Sequence, residues 1–319
     1  MARSRASTLW RTQNFLRDPR LAERLVIASG IGPRDVVYDL GAGGGALTAA
    51  LAGRAGRVIA VEKDPALAER LRLRFTAHPN VAVRQADIET YVLPRAEYVV
   101  FASPPFDITA AVIRKLTGAP VPPREAGLVL QREAAERYMG SPVQTFAALQ
   151  IAPWFSIDVL HHFKRNDFVP APAVDVVFVR VRKRGPPLVP TRDRRLYLDF
   201  IAATFTAWRP SIGRSLSGAI GAGIARRLLV AAAVDQTSKP SAIPLRSWLA
   251  LYEQFAQLPE SVRARVLGAE LRVRRQQRRL SKRHRARAPR DGLPLRRREV
   301  RVRDAAAPIA IGVFNRSAV

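Results

Sequence analysis

The chain has 319 residues, 48% of them hydrophobic, enough for one or two domains with real cores at roughly 100–200 residues each. It contains no cysteine, which excludes disulfides, thiolate metal ligands and a cysteine nucleophile, and no apolar run approaches the ~18 residues of a membrane span. The formal net charge of +27 implies a polyanionic partner, nucleic acid before membrane. That charge is unevenly spread: residues 263–303 hold 17 lysines and arginines against Glu270, Asp291 and Glu299, a net of +14, and the remainder still carries +13. The opening Met1–Arg5 is basic and no apolar signal segment follows it, so a soluble, cytoplasmic protein is expected.

Residues 1–17 read as a polar, basic arm, and 19–28 as a helix offering Leu21, Leu25 and Ile27 to a core. Strands and helices then alternate. Strands are expected at 36–40, 57–62, 81–86, 98–102 and 127–130, with helices over about 46–53, 65–75, 107–116 and 132–138. Such alternation indicates a mostly parallel sheet covered on both faces. Residues 155–163 and 173–182 are rich in β-branched residues and suit an antiparallel edge hairpin. His161 and His162 adjoin on the first of these strands, and because successive strand residues face opposite ways no metal site is expected there. After Arg184-Gly185-Pro186-Pro187 the pattern becomes helical, at 192–207, 212–233 and 245–257. From 261 the chain is arginine-rich and too poor in apolar residues to offset its ordering entropy, so it is expected to be largely disordered until bound, apart from a short amphipathic helix over 262–280. Three regions result: 1–184, 185–260 and 261–319.

The turn Asp39-Leu40-Gly41-Ala42-Gly43-Gly44-Gly45 follows the first strand of the sheet and opens a helix, where glycines let the backbone approach a ligand. Glu62 ends the next strand, where a carboxylate can accept two ribose hydroxyls, and Asp87 closes the third, where it can face an adenine amino group. The spacing is Gly-x-Gly-x-Gly rather than the Gly-x-Gly-x-x-Gly of dinucleotide folds, and acids recur at three strand ends. Both features suit a ligand with an amine and hydroxyls but no pyrophosphate. Ser103-Pro104-Pro105-Phe106 follows the fourth strand. Its prolines fix φ and remove donors, leaving the Ser103 side chain and the Pro104 carbonyl as acceptors for the exocyclic amine of a base, with Phe106 placed to stack on that base.

Together these segments resemble the rRNA adenine N6-methyltransferase family, and most of all its macrolide-resistance (Erm) members acting on 23S rRNA. The likeness runs from about 10 to 258. Thr12-Gln13-Asn14-Phe15-Leu16, Asp39–Thr48, Leu130-Gln131-Arg132-Glu133, Phe168-Val169-Pro170-Ala171-Pro172-Ala173-Val174, Arg214-Ser215-Leu216 and Ser247–Tyr252 carry it. The resemblance implies a seven-stranded Rossmann-like α/β S-adenosylmethionine methyltransferase domain, then a small all-α C-terminal domain, then a basic tail. It places Asn14, Leu16, Gly41, Gly43, Glu62, Asp87 and Ser103 at the S-adenosylmethionine, and Ser103, Pro104, Phe106 and Phe168 at the target adenine, Phe168 covering the face opposite Phe106. No metal is expected. Where the family has Asn-x-Pro-Tyr/Phe this chain has Ser103, whose shorter reach bears on rate and on the number of methyl groups added.

The implied function is mono- or dimethylation of a 23S rRNA adenine before or during subunit assembly, by a monomer, giving resistance to macrolides, lincosamides and streptogramin B. Alternatives are 16S rRNA adenine dimethylation and a non-catalytic RNA-binding protein on the same fold. Arg3, Arg5, Arg11, Lys164, Arg165, Arg209, Arg214 and the tail are candidate phosphate contacts. The tail has no aromatic residue between 263 and 303, so it should bind without sequence preference.

Overall fold

Short apolar runs bounded by glycine, proline and acidic residues form the strands, and amphipathic stretches between them form the covering helices. The computed structural model describes residues 15–207 and 209–277. In chain order the elements are β1 (Phe15–Leu16), α1 (Pro19–Ala28), β2 (Val36–Leu40), α2 (Ala46–Ala52), β3 (Arg57–Glu62), α3 (Pro65–Arg74), β4 (Val81–Gln85), β5 (Val99–Ala102), α4 (Thr109–Thr117), β6 (Glu125–Gln131), α5 (Arg132–Met139), α6 (Phe146–Ile151), β7 (Phe155–His162), β8 (Phe168–Val169), β9 (Val176–Lys183), α7 (Arg194–Phe205), α8 (Ile212–Ile220), α9 (Ala222–Ala231), α10 (Leu245–Ala256) and α11 (Glu260–Arg263).

Seven strands form one sheet in the order β4-β3-β2-β5-β6-β9-β7. The first five are parallel, and β9 runs antiparallel between β6 and β7, closing the expected edge hairpin. All four residues of β5 are buried, as are five of the six in β3, the pattern of a sheet covered on both faces. Helix starts follow local chemistry. Asp18 and Asp64 precede Pro19 and Pro65, and each carboxylate accepts a backbone N–H of the first turn, Arg20 N for Asp18 and Ala66 N and Leu67 N for Asp64.

Sequence placed a boundary at 184. In the structure the following helices share the core of the sheet. The Tyr197 hydroxyl of α7 donates to Leu149 O of α6 at 3.0 Å, and the Trp154 ring meets Tyr197 edge-on at 5.5 Å. Trp248, Tyr252 and Phe255 of α10 continue the same apolar cluster. The described residues as far as Arg275 form one compact unit. The expected single helix over 212–233 is two helices, because Gly221 takes φ 97° and turns the chain between α8 and α9.

The start of the expected tail is also anchored. Val262, Val266 and Ala269 are buried, and residues 269–277 are helical. Buried Asp199 of α7 accepts Gly268 N at 3.0 Å and Glu270 N at 2.9 Å, one on each carboxylate oxygen, and so caps that helix from 69 to 71 residues away. The remainder of the arginine-rich segment, 278–319, lies outside the described residues. Replacing Asp199 by Ala leaves two amides without their acceptor and is expected to lower stability by about 1–3 kcal/mol. It should also speed tryptic cleavage between Arg263 and Arg275. Urea unfolding and timed proteolysis measure both, and an unchanged midpoint with unchanged cleavage would contradict the capping role.

Candidate active site

The order of strands reverses between β2 and β5, and the loops beyond their carboxyl ends open a crevice there. Register aligns those ends. Leu40 pairs with Val61 on one side and Ala102 on the other, so Gly41, Glu62 and Ser103 stand in a row along one sheet edge. Gly41 N and Ala42 N both donate to Val61 O, at 2.8 and 3.1 Å, which folds the glycine turn back over β3. Gly41, Gly43 and Gly45 have φ of 83°, 53° and 80°, and this alternation is what the Gly-x-Gly-x-Gly spacing encodes. A Cβ on Gly41 would stand 3.1 Å from Ile88 Cδ1 and 3.8 Å from the Ser103 carbonyl oxygen. The turn therefore lines a narrow gap walled by Ile88 and by the end of β5.

The three acids at the strand ends differ in their partners. Glu62 is 2% exposed, and its oxygens accept Gly43 N at 2.8 Å and Asp64 N at 2.9 Å. Asp39 is fully buried; one oxygen accepts the Thr48 hydroxyl at 2.6 Å, while Oδ1 has no hydrogen-bond partner. Burial pushes the Asp39 carboxyl up to about 7 against the Thr48 hydrogen bond, and repulsion from Glu62 adds to the rise. Asp87 pairs with Lys63 Nζ at 2.7 Å and accepts Glu89 N at 2.9 Å. The Lys63 hydrogen bond, then that of Glu89 N, holds its carboxyl below the usual range.

Ser103 is half-buried directly after β5, with Pro104 buried beside it. The Pro105 carbonyl accepts Ile108 N at 3.1 Å and so starts the single turn Phe106–Ile108. A two-residue ladder joins β1 to β8, Leu16 opposite Phe168 and Phe15 opposite Val169. Leu16 and Phe168 share an apolar cluster with Phe106, from a third part of the sequence. Phe168 departs from expectation: it is 2% exposed, its ring edge-on to Phe163 at 4.9 Å, so it presents no open face to a base in this arrangement. The physical reason is the β1–β8 ladder, which holds its backbone while Phe163 and the core claim the ring. Asn14 lies outside the described residues. Sequence reasoning gave no role to Ile88, Thr48 or Lys63. Thr48 stands nine residues after Asp39 in the helix that the glycine turn opens, and Ile88 directly follows Asp87, so position alone marked both.

Asp39 has a consequence for stability. Unfolded, it ionises near its ordinary 3.8; folded, near 7. Between those values the native state keeps a proton that the unfolded state has released, so this group makes stability fall as pH rises through the interval. Asn at this position keeps an acceptor for Thr48 and cannot ionise. The Asp39→Asn variant is expected to match the wild type at the acid end and to exceed it by a few kcal/mol above neutrality. Urea unfolding in steps from pH ~3.5 to ~8 reads the difference, and parallel curves would rule out a raised Asp39.

A family model described as ribosomal RNA adenine dimethylase matches residues 10–257. The rRNA adenine N-6-methyltransferase of Bacillus licheniformis is 32% identical over 178 residues, 55% of this chain and 62% of that protein, so the chain spans a little under two thirds of this relative. The ribosomal RNA small subunit methyltransferase A of Thermotoga petrophila is 32% identical over 208 residues, 64% of this chain and 77% of that protein. Among solved structures, the 23S rRNA methyltransferase ErmE superposes with a TM-score of 0.71 at 29% identity, covering 76% of this chain and 100% of that one. With the glycine turn, the acid-lined strand ends and the Ser-Pro-Pro-Phe turn on one sheet edge, and a family match over most of its length, the chain belongs to the ribosomal RNA adenine dimethylase family.

Proposed function

We propose that the chain transfers a methyl group from S-adenosylmethionine to N6 of an adenine in 23S rRNA, acting as a monomer and conferring macrolide, lincosamide and streptogramin B resistance. The observation that carries the transfer reaction is the row Gly41, Glu62, Ser103, which sets a ligand cradle against a turn rich in acceptors. The cradle fits the cofactor on two counts. A Cβ at Gly41 would enter the gap beside Ser103, and the buried Asp39 Oδ1 lacks a partner. An unpaired buried carboxyl oxygen is costly, and a ligand with an ammonium and a sulfonium offsets that cost. When bound, S-adenosylmethionine supplies a methyl group already activated by the sulfonium charge.

The residues of the chain do the positioning. Glu62 fixes the glycine turn through Gly43 N and keeps lone pairs for ribose hydroxyls. Ile88 gives an apolar wall, and Asp87 accepts from the adenine amino group once its Lys63 partner yields. The Ser103 hydroxyl and the Pro104 carbonyl accept from the amine of the target adenine and turn its lone pair toward the cradle, while Phe106 stacks on the base. Phe168 supports Leu16 and Phe106 from the core side, through the cluster they share. The helices after residue 184 and the arginine-rich segment supply contacts to RNA phosphates.

The 23S reading is supported by the ErmE match, which extends over that whole structure, by the long arginine-rich extension and by Pro-Phe in the acceptor turn. A small-subunit target is the second reading, favoured by the 32% identity to the Thermotoga petrophila enzyme over 77% of its length. Incubation with labelled S-adenosylmethionine and protein-free 23S or 16S rRNA separates them. Label is expected on 23S rRNA; label on 16S rRNA alone overturns the 23S target, and label on neither overturns the enzyme. Removing the Ser103 acceptor with Ser103→Ala should slow transfer roughly 10–100-fold. Glu62→Gln, which turns an amide N–H₂ toward a backbone donor, should weaken cofactor binding by roughly the same factor.

A further inference from the structure

The helical region carries a second concavity, away from the sheet edge. Its volume is about 620 Å³, and Arg209, Arg214 and Arg226 line it, with the hydroxyls of Ser211, Ser217 and Thr237 between them. All three arginines are exposed, and among the described residues none of them forms an ion pair. The adjacent acid, Asp235, turns its carboxylate onto the Thr237 amide and hydroxyl, so it does not neutralise them directly. The floor is small. At Gly218 nothing lies within 4 Å of where a Cβ would stand. At Gly213 a Cβ would meet Gln236 O at 2.8 Å, so the absence of a side chain lets the 236–238 loop close one wall.

The first-turn amides of α8 are already used. Ile212 N donates to Ser238 O at 2.9 Å, Gly213 N to Gln236 O at 3.0 Å and Arg214 N to Ser211 Oγ at 3.4 Å. Anion recognition here falls to guanidinium forks, whose planar donors match the oxygens of a phosphodiester. Among the described residues the lining is arginine, hydroxyl and small side chains, a surface suited to phosphate oxygens. From this we infer that the groove binds the sugar–phosphate backbone of the substrate RNA, holding two or three phosphates of one strand. The inference rests on the RNA-methyltransferase reading above.

The test replaces all three arginines by Gln, and separately by Lys, and measures binding to protein-free 23S rRNA across a salt series. Removing one arginine–phosphate pairing flattens the plot of log affinity against log salt by about 0.7–0.9, so the Gln variant, which gives up two or three, should fall by about 1.4–2.7 units of slope. Phosphate-ethylation interference should disappear at the matching two or three positions, the Lys variant should keep most of the slope, and cofactor affinity should not change. A Gln variant with wild-type slope and interference overturns the inference. A Lys variant that falls as far as the Gln variant also overturns it, because charge would then not be what the groove contributes. Methyl transfer by the wild type in the same samples separates the two failures: transfer with an unchanged Gln slope rejects the groove alone, and tight, groove-dependent binding without transfer rejects the methyltransferase reading alone.

Discussion

Glu62 accepts Gly43 N with one oxygen and Asp64 N with the other, and both bonds form with the side chain almost wholly buried. A buried carboxylate is tolerable when both oxygens are bonded in this way. The two bonds also link elements. Gly43 belongs to the turn after β2, and Asp64 caps α3 through Ala66 N and Leu67 N. From the last turn of α3, Arg74 donates to Gly44 O at 2.6 Å. The glycine turn is thus clamped from both ends of one helix, which explains how a segment with three left-handed glycines holds a single shape. The same clamp sets the fate of Asp39. Two carboxyl groups lie near each other at the base of the turn, and Glu62 has two amide donors where Asp39 has one hydroxyl. The less satisfied group is the one driven toward its protonated form.

Most of this frame was legible in the sequence because its determinants are local. A parallel strand covered on both faces needs a short apolar run, and Val36–Leu40, Arg57–Glu62 and Val99–Ala102 supply it. Asp-Pro at 18–19 and 64–65 marks a helix start with a mechanism. What escaped is non-local or too short to show a period. Helix α6 has six residues, under two turns. The β1–β8 ladder has two pairs, and nothing in Phe15–Leu16 alone names Phe168–Val169 as partner. A short amphipathic helix over 262–280 was readable, and residues 269–277 are helical; what was not readable is that Asp199, some 70 residues back, caps it and that Val262, Val266 and Ala269 join the core.

Phe168 shows the limit more sharply. An aromatic residue ahead of Val-Pro-Ala-Pro reads the same whether its ring faces a ligand or the core, and neighbours decide. Here Phe163 and the Leu16 strand take the ring inward. On the proposed reading, this moves the burden of holding a base onto Phe106 and the Ser103 turn. That turn has little room to adapt: Pro104 and Pro105 fix their own φ, and the Pro105 carbonyl is engaged by Ile108 N. The oxygen of serine at 103 stands one carbon nearer the backbone than the amide oxygen of asparagine, and a rigid backbone cannot advance it to make up the reach. The base must come closer, or the hydroxyl must contact it through a longer bond.

Charge divides the surface in a way that fits this demand. The sheet edge gathers Asp39, Glu62, Asp64 and Asp87, and beside it Lys63 and Arg74 are tied to the acids or the turn. A base with an amine donor brought to that edge meets acceptors. Screening confines the acids to their neighbourhood, with a Debye length of about 8 Å at physiological salt. Among the described residues, three exposed arginines without ion-pair partners stand around the α8 groove instead. On the proposed reading, an RNA held by those arginines through its phosphates would bring an extruded base, rather than the strand itself, to the acceptors of the edge.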